Sequence, residues 1–187
     1  NSTMKLKIFP FLSVLLACLG VYAQQNQGKV LQQHRKKNHI IYGANTVAGH
    51  YVQAGDARIY YELYGQGQPI VILHGGLMGS VAEMTDFIDS LKSSYQVIAV
   101  STRGHGKSEI GTARITYELK ANDVMAVIKE VTGDSVIILG FSDGAYTGYK
   151  VAGMYPGRVK KLIAIGAGEQ IPGLRKVIPL TKETVNL

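Results

Sequence analysis

Four short apolar runs constrain this chain more than any other feature. Residues 70–73 (Ile-Val-Ile-Leu), 97–100 (Val-Ile-Ala-Val), 136–139 (Val-Ile-Ile-Leu) and 162–165 (Leu-Ile-Ala-Ile) are apolar throughout and mostly β-branched. A strand that is apolar on both faces needs cover on both faces, the condition of a parallel strand in a layered α/β sheet. The stretches between the runs have helical spacing. Residues 80–91 carry Val81, Met84, Phe87, Ile88 and Leu91, and residues 116–131 carry Ala121, Val124, Met125 and Ile128 on one stripe. Residues 143–155 line up Ala145, Gly148, Tyr149 and Ala152, mostly small side chains that let a helix backbone lie close on a sheet, and Pro156 ends the segment. Upstream, residues 51–54 and 57–64 flank Gly55-Asp56 and read as a hairpin. The pattern predicts a doubly wound, mostly parallel α/β sheet with an N-terminal antiparallel hairpin. In such a sheet ligands sit beyond the carboxyl ends of the strands.

The N-terminus has a different character. Lys5 and Lys7 precede an apolar run over residues 8–22. A basic region ahead of a run of that size reads as an export signal, and Val21-Tyr22-Ala23 suits cleavage before Gln24. The expected location is therefore periplasmic or secreted. Two alternatives stay open: a retained membrane anchor, although the run falls short of the roughly 20 residues of a spanning helix, and a lipoprotein anchored through Cys18 of Leu15-Leu16-Ala17-Cys18. Contact with a membrane is expected only if the signal segment or a lipid on Cys18 is retained. Residues 24–49, with His34-Arg35-Lys36-Lys37-Asn38-His39 at their centre, show no apolar period and read as a basic linker or arm. The domain proper is expected over residues 50–187. A single cysteine excludes a disulfide framework and a Cys-rich zinc site. The net charge of +7 includes Lys5 and Lys7, and the remainder is too mildly basic to argue for nucleic acid. No metal or cofactor constellation is visible, and nothing in the sequence fixes an oligomeric state.

Three loops at strand ends carry the chemistry. Gly140-Phe141-Ser142-Asp143-Gly144 matches G-x-S-x-G, with a buried strand running in and a small-residue helix running out. Glycines two before and two after the serine clear the space where strand and helix converge, so the Ser142 hydroxyl stands exposed at the top of the sheet as a nucleophile. The competing reading is a serine that merely caps the helix. His74-Gly75-Gly76-Leu77 follows the first apolar run. Its glycines let a backbone N–H face the cavity. Acyl transfer needs two such donors, here expected from Asp143 and from Gly76 or Leu77. His74 is expected to brace this loop rather than act as a base. The third loop, Ser101-Thr102-Arg103-Gly104-His105-Gly106-Lys107-Ser108, mimics a phosphate-binding loop. It lacks the required first glycine and opens no helix at Lys107-Ser108, so a structural turn held by Arg103 and His105 is expected.

Taken in order, the hairpin, the HGG and RGHGKS loops, GFSDG and YPGRVKKLIAIGA resemble the N-terminal half of an α/β-hydrolase-fold enzyme over residues 50–168. The resemblance implies Ser142 as nucleophile, an oxyanion hole from Asp143 with the Gly76/Leu77 region, and Gly140 and Gly144 as the residues that permit the elbow. Family members often carry Asp where this chain has Ser101, a departure that bears on the stability of that loop. The family triad runs Ser, then Asp or Glu, then His. The five histidines, His34, His39, His50, His74 and His105, all precede Ser142. Glu169, just past the fourth apolar run, is the candidate acid, against a reading as a loop acid in solvent. The expectation is an exported serine hydrolase that cleaves a small-molecule ester, thioester, lactone or amide, with this chain a fragment of a longer enzyme and nearly inactive by itself. The alternatives are an inactive binding domain of the same fold, or an acyltransferase or cofactor-free peroxidase.

Overall fold

The computed structural model describes residues 40–77 and 79–168. Six strands form one sheet: β1 (Gly49–Ala54), β2 (Ala57–Tyr64), β3 (Gln68–Leu73), β4 (Tyr95–Val100), β5 (Val136–Phe141) and β6 (Val159–Ile165). Their spatial order is β1-β2-β4-β3-β5-β6. β1 and β2 form the antiparallel hairpin, and β2 also lies antiparallel to β4. The pairings β4–β3, β3–β5 and β5–β6 are all parallel. The predicted fold class therefore stands, with strands longer than their apolar centres. Gln68-Pro69, Tyr95-Gln96 and Gly140-Phe141 extend the ladder because pairing needs only backbone groups.

Three helices cover the sheet: α1 (Thr85–Leu91), α2 (Tyr117–Val131) and α3 (Asp143–Met154). Alternation along the central strands splits the core in two. Val71, Leu73, Ile98, Val100, Val136 and Ile138 pack with Ala121, Val124, Met125, Ile128 and Val151 of α2 and α3. Ile70, Ile72, Val97, Ala99 and Leu139 pack on the opposite face with Val81, Met84 and Ile88. This two-sided burial is what the continuous apolar runs demand. Thr116 caps α2, its hydroxyl accepting from the Leu119 amide at 3.1 Å. Among the described residues no helix is long and apolar enough to cross a membrane.

Three expectations need correction. The segment over residues 80–91 is not one α-helix: its first turn, Val81–Met84, is a 3₁₀ helix, and Phe87 turns outward at 39% exposure. Tyr149 does not lie on the sheet with Ala145 and Gly148; it is 45% exposed. Residue 149 is 100° around the helix from Gly148, and only Gly148 tolerates the contact, where an added Cβ would meet the Leu162 side chain at 2.9 Å. Finally, the end of the segment read as a linker over 24–49 packs onto the domain. Tyr42 is buried at 4% exposure and donates to Asp89 Oδ1 at 2.5 Å. The Gly43 and Asn45 amides donate to the Glu62 carboxylate at 2.8 Å each, which also accepts from Tyr60 Oη and Tyr64 Oη. Four donors satisfy a carboxylate that is otherwise fully buried. Polar residues bound through backbone amides leave no periodic signal. The residues read as a signal segment, Cys18 and the arm up to residue 39 lie outside the described residues.

Candidate active site

β5 ends at Phe141 and α3 begins at Asp143, so a single residue makes the turn from strand to helix. That residue, Ser142, has φ 50° and ψ −114°. A non-glycine residue in this region costs on the order of 1–3 kcal/mol and persists only where its surroundings hold it. Ser142 N–H donates to Ile165 O of β6 at 2.8 Å, and Ser142 O accepts from the Ala145 and Tyr146 amides at 3.0 and 3.2 Å. The flanking glycines are required sterically. A Cβ on Gly140 would sit 2.5 Å from Gly144 O, and one on Gly144 would sit 2.5 Å from both Leu73 O and His74 O. The Ser142 hydroxyl makes no capping bond to α3, which removes the reading of a simple helix cap. The side chain is half-buried at the carboxyl end of the sheet.

The loop after β3 closes on this turn. Gly76 lies so close to α3 that an added Cβ would come within 3.0 Å of Asp143 Cβ. Gly79 N–H donates to Gly76 O at 2.7 Å, and Leu77, 89% exposed, sits at φ 53°. Gly75 N–H donates to Glu83 Oε2 at 2.8 Å. The loop carrying Gly76 and Leu77 thus lies against Asp143, the first residue of α3. Asp143 adds a feature that sequence reasoning missed. Its carboxylate accepts from Tyr117 Oη at 3.1 Å and Lys120 Nζ at 2.7 Å, both on α2. The signal was the helical spacing of Tyr117 and Lys120, but nothing local named their partner. Burial, with the Asp143 charge and hydrogen bond behind it, pushes the Tyr117 phenol up to about 12, so it stays a donor. The ring centroid of Tyr146 lies 5.9 Å from that of Tyr117. Glu169 lies outside the described residues.

His74 is fully buried and its two nitrogens are both engaged. Nε2 accepts from the Thr102 amide at 3.1 Å, so Nδ1 carries the proton and donates to Gly75 O at 2.6 Å. The ring ties the loop after β3 to the loop after β4. Burial pushes its pKa below the ordinary imidazole value. The sign follows: above about pH 6.5 the ring is neutral folded and unfolded, while below it the unfolded chain takes up a proton that the folded chain resists. Stability should thus hold from pH 8 to about 6.5, then fall with a His74 contribution of at most about 1.4 kcal/mol per pH unit. Urea unfolding across that range measures the fall. An NMR titration in which His74 protonates at an unshifted pKa contradicts it.

The third loop opens no helix at Lys107-Ser108; the next helix begins at Tyr117. Arg103 is 1% exposed and reaches Asp123, Asp56 and Ala54 O. Ser101 Oγ is buried and has no hydrogen-bond partner among the described residues.

A parallel sheet entered by a hairpin, with a strained serine between strand and helix and glycine-lined amides beside it, defines a class that the comparisons bear out. Residues 68–185 match the family model described as alpha/beta hydrolase fold, and the chain belongs to that family. It is similar to the serine hydrolase BPHL of Mus musculus, 28% identical over 127 residues, covering 64% of this chain and 43% of the relative. It is also similar to the 2-hydroxy-6-oxo-6-(2'-aminophenyl)hexa-2,4-dienoic acid hydrolase of Metapseudomonas resinovorans, 31% identical over 120 residues, 63% of this chain and 41% of the relative. A solved esterase from Exiguobacterium antarcticum superposes with a TM-score of 0.58 at 34% identity, covering 62% of this chain and 44% of that one. The chain spans less than half the length of these three relatives.

Proposed function

We propose that Ser142 is the nucleophile of a serine hydrolase and that this chain supplies the nucleophile and oxyanion-hole half of the enzyme. Ser142 Oγ attacks the carbonyl carbon of an ester, thioester, lactone or amide. The carbonyl π-electrons move to oxygen, and that oxyanion accepts hydrogen bonds from the Asp143 amide and from Gly76 or Leu77. Collapse expels the alcohol, thiol or amine and leaves an acyl-enzyme, which water hydrolyses to the acid. The observation that carries this reading is the backbone of Ser142: a non-glycine residue at φ 50° between strand and helix, its hydroxyl uncommitted to the helix it precedes.

The hydroxyl proton needs a base. His74 is disqualified because Nε2 already accepts and Nδ1 already donates. The base and its acid partner belong, on this reading, to the part of the relatives that this chain does not span. Two arms test it. The complete protein carrying this chain should label covalently with a fluorophosphonate probe and turn over p-nitrophenyl acetate, and Ser142→Ala should abolish both. The 187-residue chain alone should retain only the small rate that an oxyanion hole and binding supply without a base. Labelling that survives Ser142→Ala refutes the assignment. No labelling of the complete protein favours the inactive binding domain.

A further inference from the structure

We infer that Lys120 is a positioning residue for the oxyanion hole: from α2 it holds Asp143 and cancels the charge of a carboxylate attached to a residue that donates to the oxyanion. The inference rests on the acyl-transfer reading above and adds a residue to it.

Asp143 occupies a demanding position. Its backbone N–H is one proposed oxyanion donor, and its Cβ lies where a side chain on Gly76, in the loop of the other donor, would collide. The orientation of Asp143 therefore affects both donors. The residue is fixed at three points. Thr147 Oγ1 donates to Asp143 O at 3.0 Å, Tyr117 Oη to Oδ1 at 3.1 Å, and Lys120 Nζ to Oδ2 at 2.7 Å. Tyr117 and Lys120 stand one turn apart on α2, so a rigid helix presents both donors together. The ion pair is largely shielded, with side-chain exposures of 11% for Lys120 and 19% for Asp143.

Charge gives the arrangement its purpose. A carboxylate at the first residue of α3 suits the helix N-terminus in the resting protein. During acyl transfer a second negative charge develops on the substrate oxygen beside the same residue's amide. In a partly dehydrated site two like charges repel strongly. The Lys120 ammonium on Oδ2 offsets the carboxylate, so the amide can meet the oxyanion without that opposing field. Removing Lys120 leaves the acid in place and restores the repulsion. Removing both charges should relieve it, an outcome that a purely structural role does not predict.

The test uses the complete protein, with kcat and KM on p-nitrophenyl acetate and inhibition by a trifluoromethyl ketone, whose hemiketal carries the oxyanion. Lys120→Met should lower kcat about 10-fold or more with KM within about twofold, and weaken the inhibitor in parallel, by analogy with loss of an oxyanion donor at 10²–10³-fold. Lys120→Arg should retain most of kcat. Lys120→Met with Asp143→Asn should recover kcat relative to Lys120→Met alone. Lys120→Gln replaces methionine if circular dichroism finds that variant unfolded. A folded Lys120→Met or Lys120→Gln with kcat within twofold of wild type overturns the inference, as does a loss that neither arginine nor the double variant recovers. The two readings fail separately: without Ser142-dependent turnover in wild type both fall, whereas normal turnover in the lysine variants removes only this one.

Discussion

Arg103→Met is expected to destabilise the domain by about 3–5 kcal/mol, the scale for removing one partner of a buried ion pair. The Arg103 side chain is fully enclosed. Nε and Nη2 form a fork on the Asp123 carboxylate at 2.8 Å each, Nη1 reaches Asp56 at 2.6 Å, and Nη2 also donates to Ala54 O at 3.0 Å. One side chain thus joins the β1–β2 turn, the loop after β4 and α2. Methionine fills similar volume but leaves Asp123, at 3% exposure, as a buried charge without its guanidinium. Asp56 suffers less. The amides of Thr112 and Ala113 lead, with Arg103 behind them, in holding its carboxyl well below the usual range, and those amides remain. For a domain of this size the loss corresponds to a fall in melting temperature of about 10–15 °C. Chemical denaturation measures it directly. Replacing Asp123 by Leu in the same chain should recover most of it, since the penalty is mainly that of the stranded charge. A change below about 1 kcal/mol in Arg103→Met would mean that the network contributes little.

That network marks a boundary in what the sequence discloses. The four apolar runs made the sheet legible because their burial is two-sided and continuous, and each became a strand of the central sheet or its β6 edge. G-x-S-x-G was legible because its glycines answer a local collision, two residues either side of Ser142. What stayed hidden involves partners far apart in sequence. Arg103 could be named as a brace, but its acceptors lie 20 and 47 residues away. Lys120 and Asp143 are 23 residues apart, on different helices. Tyr42 and Glu62 were invisible for another reason: the segment that docks there binds through amides, which every residue type has. Orientation was the remaining failure. The stripe containing Tyr149 is helical, yet spacing alone puts a bulky ring on a face that accepts only Gly148 and its small neighbours.

Gly144→Ala should lower Ser142 reactivity about 10²-fold, although alanine is ordinarily the better helix residue by about 1 kcal/mol. Gly144 is the second residue of α3 and is buried against the end of β3. Its added methyl would stand 2.5 Å from two carbonyl oxygens, those of Leu73 and His74, and 2.7 Å from Leu73 C. Backbone cannot yield as a side-chain tip can, so α3 must retreat from the loop after β3. That retreat separates the Asp143 amide from Gly76 or Leu77, the donors proposed to converge on one oxygen. Oxyanion donors act through pre-set geometry, so a shift of about 1 Å is expected to cost about 10²-fold in turnover. Gly153→Ala in the same helix is the control: nothing lies within 4 Å of its added Cβ, and it should leave turnover unchanged and stability equal or slightly higher. The pair is read by fluorophosphonate labelling rate and kcat/KM of the complete protein. If Gly144→Ala reacts as fast as Gly153→Ala, the hydroxyl does not depend on the close approach of strand and helix, and the elbow is not the source of its reactivity.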